Sequence, residues 1–206
     1  RPSGVREKYK NVKFALNCHR YQMNLKPIQI EAYHPDWPDK FAAICRRLRQ
    51  QLGDKIKDIH HVGSTAVPGL AAKPIIDIDV ILKDLSLLDP SIALLDQAGY
   101  RHQGEMGITG RHSFIYQLEE KHASHNLYIC DPDSEAFKNH ISLRDFLRKN
   151  EAEKLAYGAL KVQLANLHPY DLDRYVDGKT AFITDILERS GFAAQAIRLI
   201  RKENTF

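Results

Sequence analysis

The sequence GSTAVPGLAAKPIIDIDVIL, from Gly63 to Leu82, joins a loop rich in glycine, alanine and proline to a hydrophobic strand that carries two aspartates. Side chains alternate between the two faces of a strand, so Asp77 and Asp79 project from one face and the isoleucines beside them from the other. Aspartate is depleted in strands, and two neighbouring carboxylates repel each other unless a cation or a shared proton compensates. The spacing therefore indicates a binding site on one face of this strand.

Two carboxylates on one strand face are suitable ligands for a divalent metal ion. Mg²⁺ is commonly bound by one or two carboxylates together with substrate phosphates, and we expect Asp77 and Asp79 to bind Mg²⁺ or Mn²⁺. The alternative is a solvated pair of aspartates on an open face of a sheet. Ile75 and Ile81 lie on the same face, however, which predicts that this face is partly covered.

The loop before this strand has the composition of an anion site. Gly63 and Ser64, directly after a predicted strand, offer a close backbone approach, a hydroxyl and N–H groups that suit a phosphate. Gly-Ser alone is usually a turn. The GxxxxGK[ST] motif of a P-loop does not occur, since the run Gly69–Pro74 lacks both the spacing and a hydroxyl after Lys73. Combined with the two aspartates, the loop predicts a phosphate site beside a metal site.

Composition places the chain among soluble globular proteins. Its 206 residues suit one domain, 43% are hydrophobic and 27% are charged, and no apolar run approaches the roughly 20 residues that cross a bilayer. The three cysteines lie far apart and show no disulfide or zinc-site spacing, which favours a reducing compartment. We therefore expect a cytoplasmic protein without a membrane partner, and the composition leaves its oligomeric state open.

Basic residues are concentrated near the start of the chain. Residues 1–26 hold seven of the 30 lysines and arginines but only one of the 26 acidic residues, so the remainder is slightly negative. This balance argues against nucleic acid as a partner of the body. The arm could be the remnant of a targeting sequence, a contact for an anionic partner or, as we favour, a solvated extension.

Strand and helix periodicities alternate beyond the arm. Strand patterns occupy residues 28–33, 56–62, 75–82, 112–119 and 124–130, and helical patterns occupy residues 37–52, 87–98, 134–150, 151–167 and 177–192. The polar stretch EKHA between the last two strands is typical of an antiparallel hairpin, so we expect a mixed sheet. The sequence predicts an α+β core at residues 27–132 followed by a helical part of the same domain at residues 133–206.

The stretch HVGSTAVPGLAAKPIIDIDV closely resembles the GrpB family, as do YHPDWPDKF, HNLYIC, LRDFLR, YGALK and YVDGKTAFI, together spanning roughly residues 28–192. The fold of that family is similar to the nucleotidyltransferase fold of DNA polymerase β and the aminoglycoside nucleotidyltransferases. The resemblance implies a mixed β-sheet flanked by helices with a helical C-terminal subdomain. It also implies that Gly63 and Ser64 bind nucleotide phosphates and that Asp77 and Asp79 bind metals for in-line attack on the α-phosphorus.

The resemblance further implies a nucleoside triphosphate and an unidentified acceptor as partners. Active nucleotidyltransferases usually add a third carboxylate from a later strand, but Asn126 and Tyr128 occupy the expected face here. The general base of the reaction is therefore not assigned to a residue. A catalytically silent nucleotide-binding or accessory module of the same fold is the alternative.

Basic residues that would complete a phosphate site lie outside the strand. We expect Lys73, Arg144 and Lys161 to contribute to it. Lys161 lies four residues after Tyr157 and so shares a helix face with it, and Lys179 has the same spacing from Tyr175. The alternative for each is an ordinary exposed side chain on an amphipathic helix. His61 and His125, with Asn126 and Tyr128, are candidates for the wall of the site, although His61 equally suits a buried structural position.

Overall fold

A computed structural model describes residues 26–118 and 123–204 of the protein. These residues form five β-strands and six α-helices. The strands are β1 (Ile56–Val62), β2 (Ile76–Leu82), β3 (Tyr100–His102), β4 (Arg111–Tyr116) and β5 (His125–Cys130). The helices are α1 (Trp37–Leu52), α2 (Leu88–Gln97), α3 (Glu135–Lys149), α4 (Glu151–Leu167), α5 (Leu172–Arg189) and α6 (Ala194–Asn204). The basic arm predicted at residues 1–26 lies outside the described residues except for Lys26. No helix within these two ranges is long and apolar enough to cross a membrane.

The sheet is mixed, as predicted, and its strand order is β1-β2-β5-β4-β3. Strands β2 and β5 run parallel, whereas the other neighbouring pairs are antiparallel. The hairpin of β4 and β5 is the one predicted from the polar stretch between them. The sequence pattern did not predict β3, because three residues are too few to show a period of two.

One face of the sheet packs against α1 and α2 and forms the main hydrophobic core. The residues of β2 on this face, Ile76, Ile78 and Val80, are at most 1% exposed. Helix α1 begins after Asp36 and ends at Gly53, whose φ of +60° stops the helix as predicted. The two aspartates of β2 consequently project from the other face.

The opposite face of the sheet is covered by α3, which packs against α4 and α5, and α6 packs against α5. A second cluster joins these helices to the loop after β1 through Val67, Leu70, Leu147, Tyr157 and Ile186. Helices α4 and α5 approach closely at Gly178, where a Cβ would collide with the Leu164 side chain. The predicted helical C-terminal subdomain is confirmed, and it lies on the side of the sheet that carries the aspartates.

The strand predicted at residues 28–33 is not formed. Glu31 makes an isolated antiparallel bridge with Ala72, through two backbone hydrogen bonds of 2.9 Å. Ile28 and Ile30 pack instead against the C-terminal helices near Leu164. The alternating pattern was therefore correct about burial but wrong about the partner, which is a pair of helices rather than the sheet.

Candidate functional site

The strand register brings the two aspartates together with the polar residues of β5. Asp77 lies opposite Asn126, and Asp79 lies opposite Tyr128, so all four side chains share the face covered by α3. Asp77 is half-buried, whereas Asp79 has no exposed surface. A solvated pair of aspartates, the alternative considered from the sequence, does not describe this arrangement.

Asp79 is paired with a histidine from α3. The Nδ1 atom of His140 lies 2.7 Å from Asp79 Oδ2. Burial lowers the pKa of His140, but the charge of Asp79 and its hydrogen bond outweigh burial and raise this pKa overall. The other oxygen, Asp79 Oδ1, is buried and has no partner within hydrogen-bond geometry among the described residues; the thiol that acts on Asp79 is that of Cys130, whose pKa is raised by burial and by the charge of Asp79. The pair therefore leaves one carboxylate oxygen without a hydrogen-bond partner in the site.

Asp77 is held by β5 and by the loop after β1. Asn126 Nδ2 donates a 2.7 Å hydrogen bond to Asp77 Oδ1. Burial raises the pKa of Asp77, and the hydrogen bond from Asn126 and the charges of His140 and Lys73 partly offset this effect. Gly63 has a φ of +69°, and a Cβ there would lie 2.8 Å from Asp77 Cγ. A glycine is thus required both by the backbone and by the nearby carboxylate.

Ser64 begins a single 3₁₀ turn, Ser64–Ala66, rather than a longer helix. The turn is pinned to the start of β2 because the hydroxyl of Thr65, which is buried, donates a 3.2 Å hydrogen bond to the carbonyl of Ile75. Gly63 therefore lies beside Asp77, and Ser64 follows it at the start of the turn; that this loop binds a phosphate stays a prediction.

A cluster of lysines surrounds Asp77 on the side of the C-terminal helices. Lys161 is 2% exposed, its Nζ lies 4.7 Å from the ring centroid of Tyr157, and this Nζ has no hydrogen-bond partner among the described residues. Lys179 and Lys73 lie over the ring of Tyr175, at 4.5 and 5.5 Å from its centroid. We call Lys73, Lys161 and Lys179 the lysine cluster.

The charges of the lysine cluster act on one another and on Asp77. Burial lowers the pKa of Lys161 to about 7; repulsion from Lys179 and Lys73 lowers it too, while the Asp77 charge opposes the change. Burial, together with the charge of Lys73, lowers the pKa of Lys179 to about 8. The cluster thus brings concentrated positive charge to the edge of the acid pair.

Arg111, at the start of β4, is a site residue that the sequence did not single out. Its guanidinium carbon lies 4.7 Å from the ring centroid of Tyr128, and its Nε is buried without a hydrogen-bond partner in the described part of the chain. Burial and the charge of Asp77 raise the pKa of Tyr128. Arg111, His140 and Lys179 all line a cleft of about 540 Å³ between the sheet and the C-terminal helices. Neither aspartate lines this cleft, which is connected to Asp79 through the side chain of His140.

Arg144 does not join the lysine cluster. Its Nη1 donates to the backbone carbonyl of His61 at 3.1 Å, and its Nε donates to Asp145 at 2.7 Å. Arg148 donates two hydrogen bonds, of 2.9 and 2.7 Å, to the carbonyl of Ala66. These arginines fasten α3 to β1 and to the loop after it.

The two histidines considered for the wall of the site lie on the opposite face of the sheet. His61 pairs with Ile78 in the register, stacks on Phe41 at 4.6 Å and lies 3.0 Å from Thr65 Oγ1. Burial, with the charges of the two arginines of α3, lowers the pKa of His61 to about 4, so it is neutral at pH 7. His125 lies 2.7 Å from the Tyr100 hydroxyl. Both are structural residues of the core face, which the alternation of each strand could have indicated.

A metal ion at this site would depend on few protein ligands. Within residues 26–118 and 123–204, no group of three or more His, Cys, Asp or Glu side chains is arranged to hold a metal ion. Asp77 and Asp79 are the two carboxylates of β2 on this face, and one oxygen of each is engaged by Asn126 or His140. Such a donor set suits Mg²⁺ bound together with substrate phosphates rather than a closed structural site.

Comparison with known proteins gives consistent relationships. The family model described as GrpB protein matches residues 27–189. UPF0157 protein YqkA of Bacillus subtilis is 32% identical over 158 residues, covering 77% of this chain and 46% of YqkA, so the chain spans about half of that relative. Glutamate-rich protein GrpB of Alkalihalophilus pseudofirmus is 32% identical over 168 residues, covering 80% of this chain and 97% of that protein. The crystal structure of GrpB from Enterococcus faecalis matches with a TM-score of 0.70 and 33% identity, covering 82% of this chain and 98% of that one.

Proposed function

Because this chain belongs to the GrpB family, with the nucleotidyltransferase-like α+β fold that its sequence predicted, we propose that it binds a nucleoside triphosphate with Mg²⁺ or Mn²⁺ and transfers a nucleotidyl group to an acceptor hydroxyl. One observation carries this proposal. Asp79 Oδ1 is buried without a hydrogen-bond partner among the described residues, beside a second carboxylate on the same strand face. An orphaned buried carboxylate oxygen is unfavourable, and a bound cation would compensate it.

The residues present fit a divalent cation. Asp77 and Asp79 would hold it, each through the oxygen that Asn126 or His140 leaves available. When bound, Mg²⁺ would polarise phosphoryl oxygens and neutralise the negative charge that develops during displacement at the α-phosphorus. The remaining coordination positions would be taken by phosphate oxygens and water, as is usual for Mg²⁺.

The protein's own residues would orient and shield the reactants. His140 and Asn126 fix the two carboxylates, and Gly63 allows the loop backbone to approach Asp77 without a Cβ. The lysine cluster supplies positive charge for phosphates, and the adjoining cleft of about 540 Å³ has room for a small ligand. Binding in this partly closed cleft would remove the reacting groups from bulk water.

A catalytically silent nucleotide-binding module is the second candidate, and a specific contact favours it. The 2.7 Å pair with His140 gives Asp79 a basic partner without a metal, and, despite burial, the charge of Asp79 raises the pKa of His140, which favours the charged imidazolium. In addition, Asn126 occupies the strand position where a third carboxylate would be expected. A module of this kind would bind the nucleotide but release no pyrophosphate.

Ligand binding is the first test of both candidates. We would measure the melting temperature with the four nucleoside triphosphates, coenzyme A precursors and cyclic nucleotides, each with and without Mg²⁺. A ligand at about 100 times its dissociation constant adds roughly 2.7 kcal/mol, or about 5–11 °C for a chain of this size. If no nucleotide gives a metal-dependent shift, both candidates are wrong.

Turnover then separates the two candidates. The nucleotide that binds would be supplied in its α-³²P form, and release of pyrophosphate and labelling of acceptors would be followed. We expect activity in the wild type and in the control Asp54→Asn, an exposed acid before β1, but not in the Asp77→Asn/Asp79→Asn double variant. Binding without pyrophosphate release on any acceptor would favour the silent module. Equal Mn²⁺ binding by the wild type and a folded double variant would rule out the metal site.

A further inference from the structure

Lys161, in α4, is a lysine whose side chain is almost completely buried. It is 2% exposed, and its Nζ has no hydrogen-bond partner among the described residues, although three N–H donors are available. The contact the structure does record for this Nζ is the face of Tyr157, at 4.7 Å. A buried ammonium without a partner is strongly disfavoured, so Lys161 is either neutral or completed by an anion.

The surroundings of Lys161 favour an anion. The groups that act on it come from several neighbouring elements: Tyr157 from α4, Lys179 from α5, Lys73 from the loop before β2, and Asp77 from β2. Two of these groups are lysines. Asp77, the one acid among them, already accepts a hydrogen bond from Asn126. Lys179 also lines the open cleft, which provides a route for a ligand to the cluster.

We propose that the lysine cluster binds a diphosphate group, and that this binding takes up a proton at Lys161. Two adjacent phosphates can reach several ammonium groups at once, which a monophosphate does less well. The lysine cluster would be the phosphate-binding part of the proposed nucleotide site, so the identity of the ligand rests on the proposed function. Its test uses inorganic pyrophosphate without metal or acceptor, so it can fail independently of nucleotidyl transfer.

The proton uptake follows from the electrostatics of the empty cluster. The pKa of Lys161 is about 7 and that of Lys179 about 8 without a ligand, so both lysines are partly neutral in slightly alkaline solution. A phosphate nearby favours the charged form of each lysine. Above its pKa, a lysine that must be protonated for binding lowers the apparent affinity about tenfold per pH unit. Affinity for the diphosphate should therefore fall as the pH rises.

Calorimetry on the wild type measures the proton directly. Pyrophosphate is titrated into the full chain in the presence of EDTA, at pH 7.5, in two buffers with different ionisation enthalpies. We expect the binding heat to differ between buffers by an amount that corresponds to net proton uptake beyond that of pyrophosphate itself. Binding with no such uptake, or no binding at all, would overturn the proposal without any variant being needed.

Variants of Lys161 assign the proton to this residue. Between pH 7 and 8.5 the wild-type affinity should fall by roughly 10- to 20-fold more than that of Lys161→Met, because the titration of pyrophosphate is common to both. Lys161→Arg, which stays charged, should retain binding at pH 8.5. The control Lys83→Met removes an exposed lysine outside the cluster and should behave as the wild type. Equal pH dependence in the wild type and a folded Lys161→Met variant would contradict the assignment.

ATP distinguishes two sources of the diphosphate. If ATP without metal shows the same Lys161-dependent pH profile as pyrophosphate, the cluster holds the phosphate tail of a nucleotide. If pyrophosphate alone shows it, the cluster holds a free diphosphate such as the product of the transfer. Orthophosphate should bind at least tenfold more weakly than pyrophosphate, and equal affinity for both would overturn the diphosphate assignment.

Discussion

Replacing Gly63 with alanine should disrupt the acid pair more than its small size suggests. The backbone at Gly63 has φ +69° and ψ −170°, a region almost restricted to glycine, in which a side chain costs about 1–3 kcal/mol. The new Cβ would also lie 2.8 Å from Asp77 Cγ, so the carboxylate must move away from Asn126. Loss of that charged hydrogen bond adds about 1.5–3 kcal/mol. We expect a total destabilisation of about 2.5–6 kcal/mol, or roughly 5–24 °C in melting temperature.

The control is Gly53→Ala, at the end of α1. Gly53 has a similar φ of +60°, but no atom lies within 4 Å of the position of its Cβ, so it reports the backbone cost alone. Both variants would be compared by urea unfolding and by Mn²⁺ titration. The reasoning is refuted if Gly63→Ala is no more destabilising than Gly53→Ala, or if Gly63→Ala retains the Mn²⁺ affinity of the wild type.

Three further predictions follow from individual contacts. The pKa of His61 is about 4 in the folded protein and near 6.5 in the unfolded chain. The stability that this neutral side chain contributes to the fold is therefore complete above pH 6.5 and is lost as the pH falls toward 4. Urea unfolding should show about 2–3 kcal/mol less acid destabilisation in His61→Gln than in the wild type, and equal acid sensitivity would contradict this assignment. Arg148→Ala should lower stability by about 1–3 kcal/mol because the carbonyl of Ala66 loses both donors; an unchanged melting temperature would show that water replaces them. Asn126→Asp sets a second carboxylate against Asp77 and should lower the free energy of unfolding by about 2 kcal/mol in the absence of metal. If the acids bind Mn²⁺, adding it should restore the melting temperature. A rise in melting temperature with Mn²⁺ that is no larger than in the wild type would argue against a metal there.

The central strands could be predicted from the sequence because each carries its own local signal. In β2 the alternation of isoleucine and aspartate indicates both the strand and the face that each side chain occupies. The same pattern in β5 puts Asn126 and Tyr128 on one face, whereas the register that sets Asn126 opposite Asp77 is known only from the structure. The pattern at residues 28–33 is equally regular, yet those residues pack on helices. Alternation reports that one side of a segment is buried, but it does not identify the element that buries it.

The part of the site that lies on helices could not be predicted in the same way. Helical periodicity indicates that Tyr157 and Lys161 share a face of α4, as the structure confirms. It does not indicate which turn of α3 lies above Asp79, because that depends on the path of the chain between β5 and α3. His140 therefore gave no recognisable signal, although it makes the shortest polar contact of the buried acid.

This contact changes what the two aspartates imply. Their pattern indicates that positive charge must lie next to the strand, and a metal ion was the source that the sequence suggested. The protein brings basic groups to the strand itself, with His140 on Asp79 and the lysine cluster beside Asp77. One buried oxygen of Asp79 is nevertheless left without a hydrogen-bond partner in the described residues. A cation bound there would complete the acid pair, and it would lie near Lys161, whose buried Nζ has no hydrogen-bond partner among the described residues. A metal ion at Asp79 and a diphosphate at Lys161 would place opposite charges next to each other, which is why we expect them to bind together more tightly than either binds alone.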